Sequence, residues 1–104
     1  MIAALAHAGF TGADLVCFPD EAAPRIRESA LYREAGADRL TQLIAAKDSD
    51  VLGPLVTGPT ANGAWDEVLL DPDQAVLLCA LLGTARAVVV AERLMPLLPL
   101  PSAA

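Results

Sequence analysis

The chain has 104 residues, enough for one domain with a core of its own, and a net charge of −6 that argues against nucleic-acid phosphates or an anionic membrane as partner. Hydrophobic residues make up 55% of it and aromatic residues only 4%, so the core has to be built from Ala, Leu and Val, a composition that favours helices over sheets. Cys17 and Cys79 are far apart and form no CxxC pair, and the opening run lacks a basic stretch and a cleavage site, which together predict a reduced, cytoplasmic protein with buried thiols.

Residues 2 to 9 read as a short first helix ended by Gly9. Thr11 to Asp14 fits a capping box, so a second short helix is predicted through Phe18, stopped by Pro19; the rival reading makes Leu15 to Phe18 a buried strand. The stretch GADLVCFPDE resembles the strand and catalytic-glutamate segment of the nitrilase family, but the downstream Lys and Cys which that resemblance would require have no matching motif here. A third helix is predicted from Asp20 or Ala23-Pro24 to Ala35, ended at Gly36 and dense in charge, hence on the surface. Arg25, Arg27, Arg33, Arg39 and Lys47 alternate here with Glu28, Glu34, Asp38 and Asp48, as on a solvated, ion-paired face. Asp38 caps a fourth helix whose Leu40, Leu43 and Ile44 make one apolar stripe, expected to pack on the C-terminal helix.

From Asp48 to Leu70, glycine and proline punctuate the chain too often for a long element, and the segment reads as a loop with the single Trp, Trp65, near its end. Asp48, Asp50 and Gly53 match part of a calcium loop, but Pro59 stands where the bidentate Glu belongs. Asp48-Ser49 resembles the phosphopantetheine serine of acyl carrier proteins, without the apolar residue and helix that should follow it. His7, Cys17 and Cys79 lack metal-ligand spacing, so neither a metal nor another cofactor is expected.

Asp71 to Met95 reads as one long helix, apolar almost all round. Asp71, Pro72 and Gln74 mark its start, and Pro96 its end. Small residues recur every four positions, at Ala75, Cys79, Gly83, Ala87 and Ala91, a row that would let another helix approach closely. Arg86 lies in the middle of it, and if buried needs a carboxylate, for which Asp66 and Glu67 are the candidates. The Pro-rich tail from 96 to 104 closes the chain.

The expectation is therefore a single all-α domain over residues 1–95, four or five helices bundled around the long one, with α+β (strands at Leu15 to Phe18 and Ala87 to Ala91) as the alternative. The expected function is a protein–protein interaction or assembly module, a homodimer or a subunit with a protein partner, with Gly83, Ala87, Ala91, Met95 and Leu98 at the interface. The alternative is a small enzyme or ligand-binding domain with a pocket near the 48–70 loop lined by Trp65, Arg86, Asp66 and Glu67. With one His and no paired acid–base motif, no catalytic machinery is visible.

Overall fold

A computed structural model describes residues 2–97. The all-α bundle is not what forms. Among the described residues five helices, α1 (Ile2–His7), α2 (Glu28–Ala35), α3 (Arg39–Ala46), α4 (Pro72–Leu82) and α5 (Ala85–Leu94), accompany four strands, β1 (Leu15–Val16), β2 (Arg25–Arg27), β3 (Val56–Pro59) and β4 (Asp66–Leu70). The strands make one antiparallel sheet in the order β1-β2-β4-β3. The fold is α+β. Of the two strands in the alternative reading, Leu15 and Val16 are in β1, whereas Ala87 to Ala91 belongs to α5.

The sheet takes residues from two stretches where the sequence predicts a helix and a loop. Arg25-Ile-Arg27 falls within the predicted third helix, but its alternation places Ile26 in the core opposite Leu70 and both arginines on the other face. The helix starts only at Glu28. In the 48–70 segment a 3-10 turn at Ser49–Leu52 is followed by a hairpin, with Val56 to Pro59 paired against Leu69 to Asp66. Gly58 leaves room for its neighbour there: a β-carbon on it would stand 2.7 Å from the Leu69 Cδ1 atom, so the Leu69 side chain would have to shift.

The long C-terminal helix is two helices. Its start is as expected: the Gln74 amide donates to Asp71 Oδ1 at 2.8 Å, the Asp71 amide donates to Gln74 Oε1 at 3.1 Å, and Pro72 opens the helix. Gly83 then takes a left-handed conformation (φ +66°) and ends it, and Thr84 caps the next helix by accepting from the Ala87 amide at 3.0 Å. Folding back at Gly83 lets α4 and α5 cover each other's apolar faces, which removes the need for a cover on every side. Ala75, Cys79 and Ala87 of the small-residue row are buried within the protomer.

The core runs from Leu5 and Phe10 through Ile26, Leu31 and Leu70 to Leu78 and Leu94. Two polar ties hold its edges. Arg33 grips Asp14 with two hydrogen bonds of 2.7 and 3.1 Å, which hold the Asp14 carboxyl below its ordinary range despite burial. Gln74, itself buried, donates to the Leu52 and Pro54 carbonyls at 3.1 and 2.9 Å and so anchors the start of the 48–70 segment to α4.

Candidate functional site

The most unusual surface is on α3. Asp38 caps the helix as expected, its carboxylate accepting from the Thr41 amide at 2.8 Å. Its orientation is the reverse of the one expected. The side facing the protein carries Ala45, which is buried, and the half-buried Thr41 and Gln42, with Gln42 Nε2 donating to the Ala37 carbonyl at 3.0 Å. The apolar stripe faces outward, with Leu40, Leu43 and Ile44 exposed by 66, 51 and 53%. Val51 and Leu55, just beyond the helix in the chain, are also exposed. The amphipathic pattern is that of a helix packed on a core, but this helix packs with its polar side.

A cavity of about 180 Å³ lies between α2, the sheet, α4 and the 3-10 turn, lined mostly by Leu52, Leu55, Val68, Leu70 and Leu78. Glu28 and Tyr32 supply its polar edge, the Tyr32 hydroxyl donating to Glu28 Oε2 at 3.3 Å. Burial raises the Glu28 carboxyl above its ordinary range, outweighing hydrogen bonds from the Val68 backbone and from Tyr32, and the nearby Glu67 charge adds to the rise. Burial and the adjacent Glu28 push the Tyr32 hydroxyl up to about 12. Apolar walls around a shifted carboxyl are a common setting for ligand binding or acid–base chemistry. This cavity is smaller than the roughly 300 Å³ at which small-molecule pockets begin.

The residues expected to form one pocket or ion pair are dispersed. Trp65, 67% exposed, stands at the tip of the β3–β4 hairpin beside Asp66 and Glu67. Arg86 is not with them. It is exposed on α5, its Nη2 donating to the Arg33 carbonyl at 3.4 Å and its side chain lying against Gly36. Among the described residues no carboxylate lies within 4.0 Å of it, so its position on the surface removes the requirement for a buried partner. Glu67 is the buried member, with Arg27 3.9 Å from its Oε2 atom. Of the expected interface, Gly83 ends α4 and Ala87 is fully buried, while Ala91 and Met95 line an apolar groove of about 300 Å³ between α4 and α5 with Val76, Ala80 and Val88. Leu98 and the tail after residue 97 lie outside the described residues.

Among the described residues no group of three His, Cys, Asp or Glu side chains has the geometry to hold a metal, and no helix is long and apolar enough to cross a membrane. Sequence reasoning found the α3 stripe but not its direction, and it missed Glu28 and Tyr32, whose spacing of four on a helix was the one available signal. No protein-family model, curated protein or solved structure shows significant similarity to this chain.

Proposed function

We propose that this protein is an interaction module that self-associates through the outward apolar face of α3. The observation that carries this reading is the exposure of Leu40, Leu43 and Ile44 on one side of a capped, regular helix. Single exposed leucines are ordinary, but Leu40, Leu43 and Ile44 fall together on one helical face, and the main apolar patch of a small protein is often functional.

A second copy of the chain suits this face. Asp38 and Arg39 stand at one end of α3 and Lys47 and Asp48 at the other, so an antiparallel pair about a two-fold axis can set Asp38 opposite Lys47 and Arg39 opposite Asp48 at both ends. The helix is only eight residues long, and a stable dimer buries about 800 Å² per partner, so Val51 and Leu55 would have to join the contact. An affinity in the micromolar range follows from so modest a patch.

Sedimentation equilibrium across a concentration series from roughly 1 to 200 μM, a range that brackets such an affinity, tests this directly. The wild-type chain should shift from monomer to dimer, and Leu43→Glu, at an exposed position, should stay monomeric with an unchanged circular dichroism spectrum. A wild-type chain that is monomeric throughout, or a Leu43→Glu variant that dimerises as before, overturns the proposal.

A further inference from the structure

The cavity beside Glu28 is too small for a drug-sized molecule but not for a smaller one. An apolar space of about 150 Å³ is enough to hold benzene, and this one has about 180 Å³. Its floor and its rim differ. Leu52, Leu70 and Leu78 are buried and make the floor, whereas Glu28, Tyr32 and Ser49 are half-buried and stand at the rim.

The polar side chains of the rim share one deficit. The Tyr32 hydroxyl gives its proton to Glu28 Oε2 at 3.3 Å, and burial together with the adjacent Glu28 keeps that hydroxyl protonated. The Ser49 hydroxyl gives its own to the Ala46 carbonyl at 2.9 Å. Both hydroxyl oxygens can then only accept, as an ionised Glu28 does by nature. Among the described residues no Lys, Arg or His lies within 4.0 Å of the Glu28 carboxylate, and the charge of nearby Glu67 adds to its own. Tyr32 and the Val68 amide are neutral donors, so they leave the Glu28 charge without a counter-ion. The rim therefore offers oxygen acceptors and negative charge, with no side-chain proton to give.

We propose that this cavity binds a small primary amine, its apolar body of about six carbons on the leucine floor and its ammonium donating to Glu28, with the Tyr32 and Ser49 oxygens as further acceptors. An ammonium has three N–H donors and no acceptor, which is the complement of such a rim. At a half-buried position it keeps part of its hydration, so the cost of stripping water from a compact cation is only partly incurred. A divalent ion needs more charged oxygen ligands than one carboxylate and makes no use of the floor. A carboxylate on the ligand would meet the charges of Glu28 and Glu67 and find no donor, so the site selects an amine over the corresponding amino acid. Leu40, Leu43 and Ile44 do not line the cavity, and the assignment does not rest on self-association through α3.

Calorimetric titration of the full chain with benzylamine near neutral pH tests this. It should give saturable binding with a dissociation constant between roughly 0.05 and 2 mM, as expected for a ligand of so few heavy atoms. Benzyl alcohol, with one donor and no charge, should bind at least about tenfold more weakly. Phenylalanine, which adds a carboxylate, and methylammonium, which lacks the apolar body, should not saturate at about 20 mM. Glu28→Gln should keep the circular dichroism spectrum and weaken benzylamine binding by about tenfold or more. The comparison of ligands on the wild-type chain stands whether or not that variant folds. Absence of saturation with benzylamine at about 20 mM overturns the assignment, as does equal binding of benzyl alcohol, phenylalanine or methylammonium, or full binding by a folded Glu28→Gln variant.

Discussion

Replacing Gln74 by Met should be among the most destabilising single changes in this protein. The volume is nearly kept, so any loss reflects hydrogen bonding rather than a cavity. Gln74 Nε2 donates to the Leu52 carbonyl at 3.1 Å and the Pro54 carbonyl at 2.9 Å, and Oε1 accepts from the Asp71 amide at 3.1 Å. The contact with Leu52 is buried, so its carbonyl would be left without a donor at a cost of about 1–3 kcal/mol. Losing one half of the capping box adds about 0.5–1 kcal/mol. The Pro54 carbonyl is nearer solvent and recovers most of its loss through water. The total, about 1.5–4 kcal/mol, is a large share of the 5–15 kcal/mol that stabilises a typical domain. It corresponds to a fall in melting temperature of roughly 6–30 °C. Urea unfolding followed by far-ultraviolet circular dichroism measures it. A Gln74→Met variant within about 0.5 kcal/mol of wild type would show that the 48–70 segment is not anchored by this side chain.

Glu28→Gln should raise the melting temperature at pH 7. The Glu28 carboxyl is raised in the folded state, so the folded protein holds its proton more tightly, and the group's stabilising contribution is complete only below about pH 4.5 and lost as pH rises through the folded value. The difference between wild type and variant should therefore shrink in acid, and a constant difference across pH would refute the burial argument. Gly83→Ala should cost about 1 kcal/mol by thermal melting, since its φ of +66° disfavours a β-carbon even though nothing lies within 4 Å of where that atom would go. Titration with a thiol reagent should find Cys17 reactive in the native state and Cys79 reactive only on unfolding, because Cys17 is exposed whereas burial pushes the Cys79 thiol up to about 11. Equal rates for the two would mean that α4 opens readily.

What could be read from the sequence were the local signals. Asp38, Asp71 with Gln74, and the Thr11–Asp14 box all cap as their spacing implies, although the last of these opens a 3-10 turn rather than a helix. The break at Gly83-Thr84 was written in the same alphabet, a left-handed glycine followed by a capping threonine, but the apolar periodicity runs through it without interruption. The sheet was harder to foresee. Ile26 and Leu70 become strand residues by pairing with each other, and neither three-residue Arg-Ile-Arg nor five-residue Asp-Glu-Val-Leu-Leu is long enough to declare itself alone. The periodicity of α3 identified its apolar face but carried no information on which way the face points, because period and burial are separate facts. Likewise, Glu67 at the β3–β4 hairpin meets the Ser29 amide across thirty-eight positions, a contact that no spacing rule contains.

The strand order β1-β2-β4-β3 also dictates how the chain must fold. Its outer pairs, β1 with β2 and β3 with β4, join neighbours in sequence, whereas the central pair joins segments about 40 residues apart through only two registered positions. Each flanking pair can form early by local search, and the turn at Gly83 lets α4 and α5 do the same. The seam between Ile26-Arg27 and Leu69-Leu70 has to wait until those units collide. Its amides should accordingly gain protection from hydrogen exchange late in refolding, after those of the β3–β4 hairpin. Substitutions at this seam should therefore slow folding, whereas those in α3 should leave the folding rate unchanged.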